Sequence, residues 1–64
     1  MEAKLYQKVK LKDGKVGYII EDFGDGNYLL DCPLYKEGEL PQGRKYNDYK
    51  QYDITKDDIL LILE

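Results

Sequence analysis

Turn-forming residues cut the first half of this chain into pieces too short for a stable helix. Asp13-Gly14 marks one turn and Gly24-Asp25-Gly26-Asn27 a second, and Pro33 closes the segment after it. The pieces between them alternate. In Gln7–Lys12, Val9 and Leu11 are separated by Lys8, Lys10 and Lys12, a period of two that puts one face in a core and the other in water. Val16 to Asp22 is β-rich, with Tyr18, Ile19 and Ile20. Gly17 inside it signals a bulge or a close backbone approach. Tyr28, Leu30 and Cys32 alternate with Leu29 and Asp31 up to Pro33, whose missing N–H ends a ladder. Three short strands follow, the last two joined as a hairpin over residues 24–27.

The second half changes character. Residues 33–52 hold both prolines, Gly38, Gly43 and four tyrosines: Tyr35, Tyr46, Tyr49 and Tyr52. A long connection or an extended hairpin fits them. The spacing of Tyr46, Tyr49 and Tyr52 predicts a short helical or 3₁₀ turn with three rings on one side, and a strand near residues 45–52 is the alternative. Thr55-Lys56-Asp57-Asp58 reads as an N-cap followed by acids in a single turn. Ile59–Leu63 is aliphatic throughout and is expected to be a buried terminal strand, with Leu61 in the core.

Five short strands, too few to bury both faces as a flat sheet, are expected to curl into a small barrel. The stretch Val9-Lys10-Leu11-Lys12-Asp13-Gly14-Lys15-Val16-Gly17-Tyr18-Ile19 resembles the pattern V-x-L-x-D-G-x-x-G-x-I of small bacterial SH3-like barrel proteins. A one-turn helix before the final strand is a further feature of that family. The resemblance spans the chain apart from an insertion at residues 33–47. It implies an all-β fold, a single SH3-like domain over residues 1–64 with five strands, a long tyrosine-rich connection and one 3₁₀ turn. It implies no activity. The absence of tryptophan sets the chain apart from signalling SH3 domains, which bind proline-rich peptides, and Ala3-Lys4-Leu5-Tyr6 only faintly echoes their Ala-Leu-Tyr-Asp-Tyr stretch. The glycines are also similar to those of KOW-type barrels in RNA-associated proteins.

Composition narrows the chemistry. The chain has 64 residues, no histidine or tryptophan, one cysteine and seven tyrosines, and it contains no serine. Cys32 has no histidine to activate it, and its alternation with Tyr28 and Leu30 makes it a buried thiol. The pairs Glu21-Asp22 and Asp57-Asp58 read as solvated charge and helix-start electrostatics rather than acid–base machinery. Asp22–Asn27 fails as a calcium loop: position 3 is Gly24 and position 12 is Pro33. No Cys/His set suits zinc, and Asp13–Gly17 lacks the Lys-Ser/Thr end of a phosphate loop. The expectation is a protein without catalytic activity, metal or cofactor. No apolar run is long enough to span a membrane, and the N-terminus has no signal-peptide core, so the expected compartment is the cytoplasm.

Charge is unevenly placed within a formal total of −3. Lysines dominate residues 1–15; residues 16–32 carry Glu21, Asp22, Asp25 and Asp31 with no base. The tyrosines are the strongest binding signal, because a tyrosine offers large contact area at little rotamer cost. The expected site is a tyrosine-rich, acidic surface of Tyr35, Tyr46, Tyr49, Tyr52, Asp25 and Asp57 that binds a protein partner, as an interaction module or a small regulatory inhibitor. A lid packed over one end of the barrel is the alternative role for those rings. Two other readings remain open. Lys8, Lys10, Lys12 and Lys15 could bind nucleic acid in a KOW-like manner, although lysines also protect an edge strand. An acidic phage or mobile-element inhibitor of the anti-CRISPR type could mask a nucleic-acid-binding surface.

Overall fold

The computed structural model describes residues 1–36 and 38–64. Its elements are β1 (Lys8–Leu11), β2 (Val16–Gly24), β3 (Asn27–Pro33), β4 (Tyr49–Thr55), a 3₁₀ turn (Lys56–Asp58) and β5 (Ile59–Ile62). All strands pair antiparallel in one sheet of order β4-β3-β2-β1-β5. Among the described residues no helix is long and apolar enough to cross a membrane.

Local chemistry explains the turns. The Asp13 carboxylate accepts the Lys15 N–H at 3.0 Å and the Lys15 ammonium at 2.6 Å, and Gly14 takes φ +98° between them. At the β2–β3 turn, Asp25 and Gly26 have φ of +55° and +78°. Positive φ at both central positions is what a two-residue type I′ hairpin requires, and Asp-Gly supplies it at low steric cost. Before β5, the Thr55 N–H donates to the Asp58 carboxylate at 2.8 Å, so the expected capping residue does start a single tight turn.

Gly17 marks a close approach, one of its two expected meanings. A Cβ built there would lie 2.6 Å from the Asp31 carbonyl oxygen and 2.9 Å from the Cys32 sulfur. The bulges of β2 come later, between Ile19 and Glu21 and between Asp22 and Gly24. They bend and twist the strand.

One face of the sheet carries the core. Val9, Ile19 and Leu30 are fully buried, joined by Ala3, Leu11, Tyr28, Cys32, Ile54 and Ile59. Tyr28 is the buried ring, and its hydroxyl accepts the Ala3 N–H at 3.2 Å. Ile54 on β4 and Ile59 on β5 come from opposite edges of the sheet yet pack in this one cluster. The sheet therefore curves around its apolar face, although no ladder joins β4 to β5 among the described residues.

Three expectations are corrected. Tyr46, Tyr49 and Tyr52 do not share a helical turn: β4 begins at Tyr49, with Pro33 opposite Tyr49 and Leu30 opposite Tyr52. Long-range pairing outweighs the local spacing. The lysines do not protect an edge, because β1 lies between β2 and β5. Nor is the aliphatic stretch 59–63 buried throughout: Ile59 is in the core, but Leu60 and, past the end of β5, Leu63 are exposed, and Leu61 retains 37% of its surface. Leu61 lies opposite Lys10, on the face turned away from the core. Consecutive aliphatics on a strand cannot all face one side, and this sheet covers only one.

Candidate functional site

The face opposite the core leaves apolar surface uncovered at Tyr18, Tyr49 and Leu61. Register places Lys8 opposite Tyr18, Lys10 opposite Val16, and Tyr18 opposite Asp31 on that outer face. Pro33 lies opposite Tyr49 where β4 begins.

The connection between β3 and β4 turns this face into a groove. It is pinned at its base. The Leu34 N–H donates to the Asp48 carbonyl at 2.6 Å. The Asn47 amide grips the Tyr35 backbone from both sides, accepting its N–H at 3.0 Å and donating to its carbonyl at 2.6 Å. Arg44 pairs with Asp48 and stands 6.0 Å from the centre of the Tyr35 ring. The hairpin is thus prolonged past its ladder by one backbone bond and by side-chain bonds.

Between connection and sheet lies an open groove of about 680 Å³. The sheet contributes Lys8, Val16, Tyr18, Pro33 and Tyr49; the connection contributes Leu34, Tyr35, Lys36 and Leu40. Tyr49 is 57% exposed, Leu34 58% and Tyr18 37%. The Lys8 ammonium sits 6.0 Å from the Tyr18 ring centre, at the outer limit of a cation–π contact. No family model matches this chain, and neither a curated protein nor a solved structure does.

The groove gathers only part of the expected tyrosine surface. Tyr35 and Tyr49 line it together. Tyr46 is 81% exposed and does not line it. Tyr52, three residues along the strand from Tyr49, faces the other way; it packs against the core, with Lys15 and Lys50 at 5.1 and 5.5 Å from its ring centre. Asp25 and Asp57 occupy the far end of the sheet, where the Lys56 N–H donates to the Gly26 carbonyl at 2.8 Å. The length of β3 separates them from Tyr49, roughly 20 Å for a strand of its size.

The four lysines also divide. Lys8 and Lys10 share the outer face, and Lys12 lies past the end of β1, its N–H bonded to the Asp58 carbonyl at 2.9 Å. Lys15 is tied to Asp13 and lines a separate hollow of about 290 Å³ with Tyr52, Asp53 and Asp58. Their mutual side-chain hydrogen bond holds the Asp13 carboxyl below and the Lys15 ammonium above its ordinary value.

The expected tyrosine surface does not include Tyr18, Leu34, Lys36 or Leu40, all of which line the groove. The alternation of Gly17, Tyr18 and Ile19 carried the signal for Tyr18, since a ring flanked by inward residues must face out. The others sit in a connection with no periodicity to read.

Cys32 faces inward as its alternation predicts, and burial pushes its thiol pKa up. A thiol reagent is expected to label it slowly in the native protein and rapidly in denaturant. Equal rates would show that the β3 face is open.

Proposed function

We propose that this chain is an SH3-like barrel without catalytic activity, acting in the cytoplasm as a protein-interaction module or small regulatory inhibitor. The packing of both sheet edges into one core supports the barrel, as does the 3₁₀ turn before the last strand. The partner docks in the groove between the outer face and the β3–β4 connection. The observation that carries this reading is the meeting of Tyr18, Tyr35 and Tyr49 with Val16, Leu34 and Leu40 on a face the core does not use. Partly exposed rings beside aliphatics offer the anchoring surface typical of interface centres.

This placement shifts the binding surface from the one expected. The docking rings are Tyr35 and Tyr49 with Tyr18, and their charged neighbours are lysines. Asp25 and Asp57, at the other end of the sheet, take no part in it. The nucleic-acid reading keeps Lys8 and Lys10 but not Lys15, whose charge is matched by Asp13.

The test is recovery of a partner from a lysate of the native host, with and without nuclease, using the wild-type chain and a Tyr35→Ala/Tyr49→Ala variant. A protein partner is expected to survive nuclease. An anchoring ring contributes about 2 kcal/mol or more, about thirtyfold in Kd. The variant should lose that affinity while its far-UV spectrum and melting midpoint stay near wild type. A variant that melts far below wild type would make the rings a structural lid. Recovery that disappears with nuclease would favour the nucleic-acid reading.

A further inference from the structure

The two edges of the sheet are unlike. β5 is four residues long, and its register against β1 shifts between Lys10 and Leu11, the kind of bulge that protects an edge. β4 runs seven residues against β3 in unbroken register, from Tyr49 opposite Pro33 to Thr55 opposite Asn27. The hydrogen bonds just beyond each end fix which of its groups face outward. The Leu34 N–H donates to the Asp48 carbonyl, and the Lys56 N–H to the Gly26 carbonyl. Hydrogen-bonded pairs alternate along an antiparallel ladder, so they fall at Lys50, Tyr52 and Ile54 of β4. The N–H and C=O groups of Tyr49, Gln51 and Asp53 therefore point away from β3, to the side where, among the described residues, the sheet has no further strand. Pro33, which has no N–H to give, sits opposite Tyr49 in accord with this. The next outward N–H, that of Thr55, is spent on the Asp58 carboxylate. The free edge is thus the segment Tyr49–Asp53, and Gln51 is its midpoint.

We propose that this edge pairs antiparallel with the same edge of a second copy, about a two-fold axis at Gln51, joining the two five-stranded sheets into one. The N–H and C=O of Tyr49 in each copy meet those of Asp53 in the other, and those of Gln51 meet their own counterparts. Such an axis keeps both core faces on the same side of the joined sheet, so it must pass between two copies of one residue. Registers centred on Lys50 or Asp53 set like charges directly opposite, which is destabilising. One centred on Tyr52 calls on the spent Thr55 N–H, and one centred on Tyr49 leaves most of the edge unpaired. The Gln51 register sets Tyr49 opposite Asp53, Lys50 opposite Tyr52 and an uncharged amide opposite itself, so no like charges meet head-on. A lysine deters edge pairing, but here Lys50 meets a tyrosine ring, as it already does 5.5 Å from the centre of its own Tyr52. Two-fold pairing of one patch with itself is the commonest way in which soluble chains associate. The pairing uses the Tyr49 backbone and the groove its ring, so neither depends on the other.

Sedimentation velocity of the full chain from about 10 µM to about 1 mM tests this. Wild type is expected to pass from monomer to dimer within that range. Gln51 is exposed, so Gln51→Lys and Gln51→Glu should keep the circular dichroism spectrum and melting midpoint near wild type. Each sets like charges opposite one another at the axis, and each alone should dimerise at least tenfold more weakly. Mixed in equal amounts, the two variants should recover the wild-type affinity or better, because a lysine then faces a glutamate. Amide hydrogen exchange of the wild-type chain reads the same pairing without any variant, and decides the matter should a variant not fold. As the chain is concentrated, exchange at Tyr49, Gln51 and Asp53 should slow, while Lys50, Tyr52 and Ile54, held by β3, should be slow throughout. A chain that stays monomeric at the highest concentration would overturn the pairing. So would a dimer that both Gln51 variants leave intact, one that their mixture fails to restore, or one whose new protection falls on β5 or on the groove.

Discussion

Leu30→Ala is expected to lower the unfolding free energy by about 2–5 kcal/mol, the range for removing a buried leucine from a packed core. Leu30 has no exposed surface. It sits mid-sheet on β3, opposite Ile19 of β2 and Tyr52 of β4. A cavity there cannot be filled by moving one strand without disturbing two ladders. A chain this short has a stability at the low end of the usual 5–15 kcal/mol, so the substitution should leave a substantial unfolded population. Leu61→Ala is the matched comparison, the same change on an outward-facing position of the edge strand. It should shift the urea midpoint little, by about 0.5 kcal/mol or less, as exposed substitutions do. Equal losses at the two positions would mean that β5 packs on both faces and that the core extends where none is seen.

Gly17→Ala should also destabilise strongly, for the opposite reason. Leu30→Ala removes atoms; this change adds one where none fits. The new Cβ would press on the Asp31 carbonyl oxygen and the Cys32 sulfur, at 2.6 and 2.9 Å. The oxygen belongs to the neighbouring strand's backbone and cannot rotate away. β3 would have to shift where Tyr18 faces Asp31. Overpacking of this kind costs about 1–3 kcal/mol, and Gly17→Val should cost more. Urea unfolding measures both. A neutral Gly17→Ala would contradict the close approach of β2 and β3 at this position.

How much of this was legible beforehand follows from the range of each determinant. Val9, Leu11, Tyr28, Leu30 and Cys32 declare their side of the sheet by alternation, and the Asp-Gly turns declare the hairpins, because both signals are local. Thr55 and Asp58 likewise mark the tight turn. The exposure of Leu61 was hidden, since it depends on the register that sets Leu61 opposite Lys10 on the outer face. The tyrosine spacing misled because β3 recruits residues 49–55 into a strand. The lysines of β1 gave no hint that another strand would lie on each side. Of the residues that line the groove, Tyr35 and Tyr49 stood out by composition. Their union with Tyr18 depends on strand register and on Asn47 gripping the Tyr35 backbone, neither of which has a sequence period. Asp25 and Asp57 were joined to them only by charge, and the topology sends those acids to the other end.

The docking claim is tested most directly by amide chemical-shift mapping of the ¹⁵N-labelled chain as the recovered partner is added. The largest changes should fall at Tyr18, Leu34, Tyr35 and Tyr49, with Asp25, Asp57 and the Asp13–Lys15 turn unmoved. Changes centred on Asp25 and Asp57, or on Lys12 and Lys15, with the groove silent, would place the binding surface elsewhere and contradict the account.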